Sequence, residues 1–273
     1  MQGTIDGLRM HWRERGRGAA VLLIHAFPFH GGLWDEQIER LPDRWRWIAP
    51  DLRGFGRSAP GAPAGPLAMD EYADDLVALL DRLDVPAATV CGVSMGGYVA
   101  FALWRRHPDR VHAVVLCDTR AAADTEAARR ARVQLAIRVQ REGARAAADA
   151  MLPKLLSAAT RRERPEIEAR LRSMIESTAP ESIVRGLEGL ADRADSTDLL
   201  PTITVPTLVL HGAEDATVPV DEARAMAERI PGARLRVIEG AGHLPNVERP
   251  AAFDRELVHF LEATGARGAG RPA

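Results

Sequence analysis

The segments "AAVLLIH" (19–25), "AATVCGV" (87–93), "VHAVVLCD" (111–118) and "VPTLVLHG" (205–212) are apolar at nearly every position rather than at every second one. A strand with one wet face alternates, and a strand covered on both faces does not. These four therefore belong to a parallel sheet sandwiched between helices. "WRWIAPD" (45–51) and "ARLRVIEG" (233–240) extend the set, and Asp6-Gly7 between "GTI" and "LRMHWRE" marks a hairpin with a primed turn. Helical periodicity fills 69–83, 95–108, 220–230 and 250–265. Strand alternating with helix predicts an α/β chain built on a mostly parallel, doubly wound sheet of about eight strands.

One segment departs from the alternation. From Thr119 to Leu200 there is no strand signal, only Ala/Arg/Glu-rich helical periodicity cut by Pro153, Pro165 and Pro180. This predicts an inserted helical cap over 120–200, on a core formed by 1–119 and 201–265. The segment lacks Phe, Tyr and Trp, so a pocket beneath it is expected to be lined by Leu, Ile, Val, Met and Ala. Leu135, Ile137, Val139, Met151, Leu152, Leu155 and Leu156 are the candidates to face that pocket. Residues 266–273 have no apolar face and are expected to be disordered.

Charge narrows the partners. With 36 basic and 38 acidic residues interleaved, no nucleic acid or anionic membrane surface is expected. Arginine carries nearly all the positive charge, and Lys154 is the only lysine. No stretch reaches the ~18 apolar residues that span a bilayer, and "MQGTIDGLRMHWRERG" does not read as a secretory signal. Cys91 and Cys117 fall in predicted strands as buried free thiols, and a cytoplasmic location is expected. Association into a homo-oligomer is left open. Gly54 to Ala59 match G-x-G-x-x-A, but "PGAPAGP" follows instead of a helix, which argues against a dinucleotide site. The chain has no H-E-x-x-H and no paired C-x-x-C, and one lysine in this context makes no P-loop. Neither metal nor cofactor is expected.

The chemistry concentrates at Gly92-Val93-Ser94-Met95-Gly96, a G-x-S-x-G at the joint of a strand and a helix. A serine on so sharp a turn needs neighbours without side chains, and it stands at a helix N-terminus, where developing negative charge is favoured. Its hydroxyl also needs a base. Of eight histidines, His243 sits on a glycine-loosened loop between the last strand and the last helix. His25 and His211 end strands and run into tight turns, so they are expected to shape loops. The carboxylate that orients the base is assigned to Asp215, which follows the next-to-last strand and gives the order Ser, Asp, His. Asp118, which ends another parallel strand, is the rival, whereas Glu214 points elsewhere. Oxyanion donors are assigned by position to the backbone N–H groups of Met95 and Phe27.

Together, "LLIHAFP", "DLRGFGRS", "GVSMGG", "HGAEDATVP" and "GAGHLPNVERP" span residues 22–250 and resemble the five landmark motifs of the α/β-hydrolase superfamily. "HAFPFHGGLW" and "LCDTRA" are most similar to the branch of esterases, non-haem perhydrolases and 3-oxoadipate enol-lactonases. The resemblance implies a serine hydrolase that cleaves a small to medium carboxylic ester or lactone through an acyl-enzyme. The same Ser94, Asp215 and His243 would support perhydrolysis if peroxide replaced water. A non-catalytic small-ligand receptor on this fold is the alternative of a different class.

Overall fold

The computed structural model describes residues 1–61 and 65–265; the expected disorder of 266–273 lies outside the described residues. The strands are β1 (Gln2–Ile5), β2 (Leu8–Arg15), β3 (Ala19–Ile24), β4 (Trp45–Pro50), β5 (Ala88–Val93), β6 (Val111–Cys117), β7 (Thr207–Gly212) and β8 (Arg234–Ile238). They form one sheet in the order β1-β2-β4-β3-β5-β6-β7-β8. β2 is antiparallel to β1 and β4, and every other pair is parallel. Every residue of β5 and β7 is buried, as the unbroken apolar runs require. The chain is an open α/β sheet with helices on its faces.

Eleven α-helices accompany the sheet among the described residues. In the sheet's own half these are α1 (Asp35–Arg40), α2 (Met69–Arg82) and α3 (Met95–Arg106). Between β6 and β7 come α4 (Glu126–Glu142), α5 (Arg145–Leu155), α6 (Ala158–Glu163), α7 (Pro165–Glu176) and α8 (Pro180–Ala191). The last three are α9 (Val220–Arg229), α10 (Pro245–Glu248) and α11 (Pro250–Ala263). None of the described helices is long and apolar enough to cross a membrane. Cys91 and Cys117 are buried and free.

In the inserted helices, α4 packs on α5 and α8, and α5 packs on α7. Pro165 and Pro180 open α7 and α8 at positions where a missing N–H costs nothing. Pro153 does not break the helical pattern: it lies inside α5, near the C-terminal end. A proline there forfeits one bond, toward the Asp149 carbonyl, and packing outweighs the loss. Ala146, Ala147, Ala148, Leu152 and Leu155 of the same helix are all buried.

Strand order fixes where a site can form. From β3 the chain goes to β4 on one side and then returns to β5 on the other. At such a reversal the loops leaving the two neighbouring strands diverge, opening a crevice at their carboxyl ends. The loop after β3 begins with His25-Ala26-Phe27, and the residue after β5 is Ser94.

A buried carboxylate organises the rest of this rim. Asp51, which follows β4, accepts from the Gly31 N–H at 2.9 Å and Arg13 Nη1 at 3.1 Å on one oxygen. Its other oxygen accepts from the Arg57 N–H at 2.9 Å and His11 Nδ1 at 3.0 Å. The glycine-rich "DLRGFGRS" loop thus wraps the protein's own carboxylate instead of a phosphate. Burial disfavours the charge of Asp51, but the Arg57 N–H and the Arg13 guanidinium favour it, so its pKa lies below the usual 3.8. With the folded pKa lowered, its stabilisation is present above the unfolded pKa and is lost as pH falls through the folded one. Asp51→Asn is expected to lower stability near neutral pH by about 1–3 kcal/mol, since the amide can accept on one side only. The gap between variant and wild type should close in acid below about pH 4, in denaturant titrations run across pH.

Candidate active site

Ser94 joins β5 directly to α3, with φ at 55° and ψ at −111°. A residue with a Cβ reaches such dihedrals at a cost on the order of 1–3 kcal/mol, so its surroundings must hold it there. The Ser94 N–H donates to the Cys117 carbonyl at 2.8 Å. The Ser94 carbonyl accepts from the Gly97 N–H and from Thr119 Oγ1, each at 2.9 Å. The turn also packs backbone on backbone. A Cβ on Gly92 would lie 2.2 Å from the Gly96 oxygen, and one on Gly96 would lie 2.4 Å from the Ile24 oxygen. Those two glycines are required by close approach.

His243 lies between β8 and α10 and is buried. Its Nε2 is 2.8 Å from Ser94 Oγ, and its Nδ1 is 2.7 Å from Asp215 Oδ2. With Nδ1–H donating to the carboxylate, Nε2 presents its lone pair to the serine hydroxyl. Asp215 is fixed in turn: its other oxygen accepts from the Thr217 N–H at 2.7 Å and the Val218 N–H at 3.0 Å. Burial works against its charge, but His243 and these two N–H groups bring its pKa below the usual 3.8. The structure therefore brings Ser94, His243 and Asp215, far apart in sequence, into one hydrogen-bonded relay. Glu214 is exposed to solvent.

The other expected residues take their places around this relay. Met95 opens α3 directly after Ser94, and Phe27 follows β3 with its ring edge-on to Phe55 at 5.9 Å. His25 Nε2 accepts from the Leu52 N–H at 3.0 Å, so Nδ1 carries the proton and donates to the Ala26 carbonyl at 3.0 Å. Burial brings the pKa of His25 down to about 4. His211 is likewise buried, with its pKa lowered by that burial, and donates from Nε2 to the Val218 carbonyl at 3.0 Å. Both imidazoles shape loops and stay neutral. Asp118 makes no hydrogen bond to His243; one of its oxygens accepts from the Gly212 N–H at 2.8 Å. Asp118, Asp215 and His243 offer ligand-type atoms within 4.8 Å of one another. Both nitrogens of His243 are already engaged, Nε2 with Ser94 and Nδ1 with Asp215.

Glu248 is a site residue that sequence reasoning missed. Fully buried, it accepts from the Gly242 N–H and, through its second oxygen, from the Ser157 N–H, each at 2.8 Å. The His243 N–H also donates to the Leu155 carbonyl at 3.0 Å. The loop that carries the imidazole is thereby fastened to the end of α5. On paper this glutamate, next to Arg249, looks like any surface acid; one of its two donors, Ser157, comes from a segment 91 residues away in the chain.

Against the Asp215 loop, α4 and α5 enclose a cleft of about 580 Å³. Leu135, Met151 and Leu155 line it, as anticipated, whereas Ile137 faces a smaller cavity and Val139, Leu152 and Leu156 are buried in the core. The expectation of a purely aliphatic lining is overturned, because Arg120, Arg132, Arg138 and Lys154 also face the cleft. Helical spacing explains the miss. Arg132, Leu135 and Arg138 share one face of α4, while Ala136 and Val139 turn into the core. Behind this lining, the buried Asp124 carboxylate holds Arg120 at 2.9 Å, Arg193 at 3.1 Å and also Arg132. One negative charge meets three positive ones. Lys154 has no ion pair among the described residues.

Comparison with known proteins agrees with this fold. The family model described as alpha/beta hydrolase fold matches residues 19–250. A 3-oxoadipate enol-lactonase of Acinetobacter baylyi is 34% identical over 91% of this chain and 89% of its own length. A thermophilic esterase from Thermogutta terrifontis, solved with malate bound, is 40% identical and superposes with a TM-score of 0.92 over 97% of this chain and 98% of its own. The enol-lactonase from Burkholderia xenovorans LB400 is 31% identical, with a TM-score of 0.89 over 96% of this chain and 100% of its own.

Glu248→Ala would leave two buried N–H groups unmet. It is expected to lower stability by about 2–6 kcal/mol, at about 1–3 kcal/mol for each orphaned donor. Chemical denaturation would measure this, and a loss within experimental error would show that the loop does not depend on the carboxylate.

Proposed function

The chain belongs to the α/β-hydrolase family, and on that premise we propose that it is a serine hydrolase of carboxylic esters or lactones, favouring substrates that also carry a free acid group. The observation that carries the first part is the relay from Ser94 Oγ through His243 to Asp215, at 2.8 and 2.7 Å. In this reading His243 takes the hydroxyl proton as Ser94 Oγ attacks the substrate carbonyl. The N–H groups of Phe27 and Met95 receive the charge that develops on the oxygen. The tetrahedral adduct collapses as His243 hands the proton to the leaving alkoxide, which leaves an acyl group on Ser94. In a lactone the released alcohol stays tethered to that acyl chain. Water, activated by the same imidazole, then frees the acid and restores the serine. Relatives named as an esterase and as enol-lactonases support this class of bond.

The acid-group preference comes from the cleft. It shares Leu155, Ala216 and Thr217 with the segments that hold His243 and Asp215, and four cations face it. A carboxylate on the substrate, remote from the scissile carbonyl, would find its counter-charge there at partly desolvated range.

Nitrophenyl acetate should be turned over with a burst of nitrophenolate equal to the enzyme added; a receptor would give none. Ser94→Ala should lose on the order of 10⁴–10⁶ in kcat, and Asp215→Asn on the order of 10⁴, because the amide favours the wrong imidazole tautomer. Ser94→Ala retaining a tenth of wild-type turnover would rule Ser94 out as the nucleophile. For the acid group, the measurement is the ratio of kcat/KM for a dicarboxylic hemiester to that for its diester. Paired replacement of Arg138 and Lys154 by glutamine should lower that ratio about tenfold or more, and salt should lower it in wild type. A ratio unmoved by both would remove the acid-group preference and leave the hydrolase reading standing.

A further inference from the structure

Asp118 is the buried acid that the relay does not use. It follows β6 with φ at 44°, in the left-handed region that a non-glycine residue enters only under constraint. Its side chain is wholly inaccessible; one oxygen accepts from the Gly212 N–H at 2.8 Å, and Oδ2 has no donor. Its carboxyl group adjoins that of Asp215, which is equally sealed from water.

The charges around it do not balance if both acids are ionised. The titratable groups facing Asp118 are Asp215 and His211 from β7 and its loop, His243 and Glu248 beyond β8, and Cys117 on its own strand. None is a lysine or arginine. His211 stands 3.8 Å from each carboxyl group but donates from Nε2 to Val218, so in its neutral form Nδ1 is a lone pair. A proton must therefore sit between the two acids. Asp215 already receives three N–H donors, from His243, Thr217 and Val218, whereas Asp118 receives one. The proton belongs to Asp118.

We propose that Asp118 is a neutral carboxylic acid that donates its O–H to Asp215, a positioning residue that steadies the triad acid and tempers the basicity of His243. Burial and the Asp215 charge push its pKa well above the carboxylate range, in keeping with this. Drawing off part of the Asp215 charge makes imidazolium less favourable, so the base stays unprotonated to lower pH than an Asp–His pair alone would allow. The proposal rests on reading Ser94, His243 and Asp215 as the catalytic relay.

The test separates the protonation state from the activity. Asn at this position mimics a protonated Asp, accepting from Gly212 and donating to Asp215; Ala does neither. Infrared spectra of the resting enzyme at neutral pH should show a protonated-carboxyl stretch that is lost in Asp118→Asn; its absence overturns the proposal without any substrate. In kcat/KM profiles, the acid limb of Asp118→Asn should stay within ~0.2 pH unit of wild type, while that of Asp118→Ala should rise by ~0.5 unit or more. An ionised Asp118 would instead make the Asn limb fall, because a negative charge beside His243 would be gone. A limb unmoved in Asp118→Ala would reduce the residue to a packing role and overturn the tempering. Should the alanine variant fail to fold, the infrared band and the Asn limb still decide. If Ser94→Ala keeps its activity, the relay reading fails by itself, and the infrared result stands apart from it.

Discussion

The fold turns on a contact in which backbone presses on backbone, at the joint of β5 and α3. Ser94 is held in a conformation it would not choose, and the force holding it is distributed. Cys117 and Thr119 belong to β6 and its sequel, Gly97 to α3, and Ile24 to β3. Two neighbouring strands, one on each side of β5, thus set the position of one hydroxyl. The parallel order of β3, β5 and β6 lets this happen, since their carboxyl ends finish at the same edge. Were β5 an edge strand, half of these restraints would have nothing to come from.

The base and its acid depend on a different support. The His243 loop is fastened by Glu248 and by the Leu155 carbonyl, and Thr217 Oγ1 donates to the Lys154 carbonyl at 3.2 Å. Both loops of the relay therefore lean on the end of α5. The inserted helices do more than cover a cavity, because they form part of the mounting for the imidazole. A substitution deep in α5 could shift the His243 geometry without touching substrate, and such a shift of a few tenths of an ångström matters for proton transfer.

How far the sequence could be read follows from how local each signal is. The central strands were legible because burial on both faces leaves a continuous apolar run, β1 and β2 because a primed turn joins them, and Ser94, Asp215 and His243 because each follows a strand end. Short α1 and α10 were not, since six and four residues are too few to display a period. Pro153 misled because propensity was outweighed by packing. Glu248 and the basic wall of the cleft were hidden for a common reason. Their meaning lies in what a distant helix brings against them, and charged residues on α4 have the same spacing whether they face water or a cleft. The resemblance to α/β hydrolases covered the rim loops well and said nothing about the charge of the insert.

The position of Lys154 has a practical consequence. A chain that carries its positive charge as arginine has a single lysine ε-amine, and the fold sets it, exposed, in the wall of the cleft. Reagents selective for lysine amines will therefore report on that cleft and on no other lysine of the molecule. A fluorophore placed there sits in the cleft wall, and a support coupled through it would meet that face of the protein first.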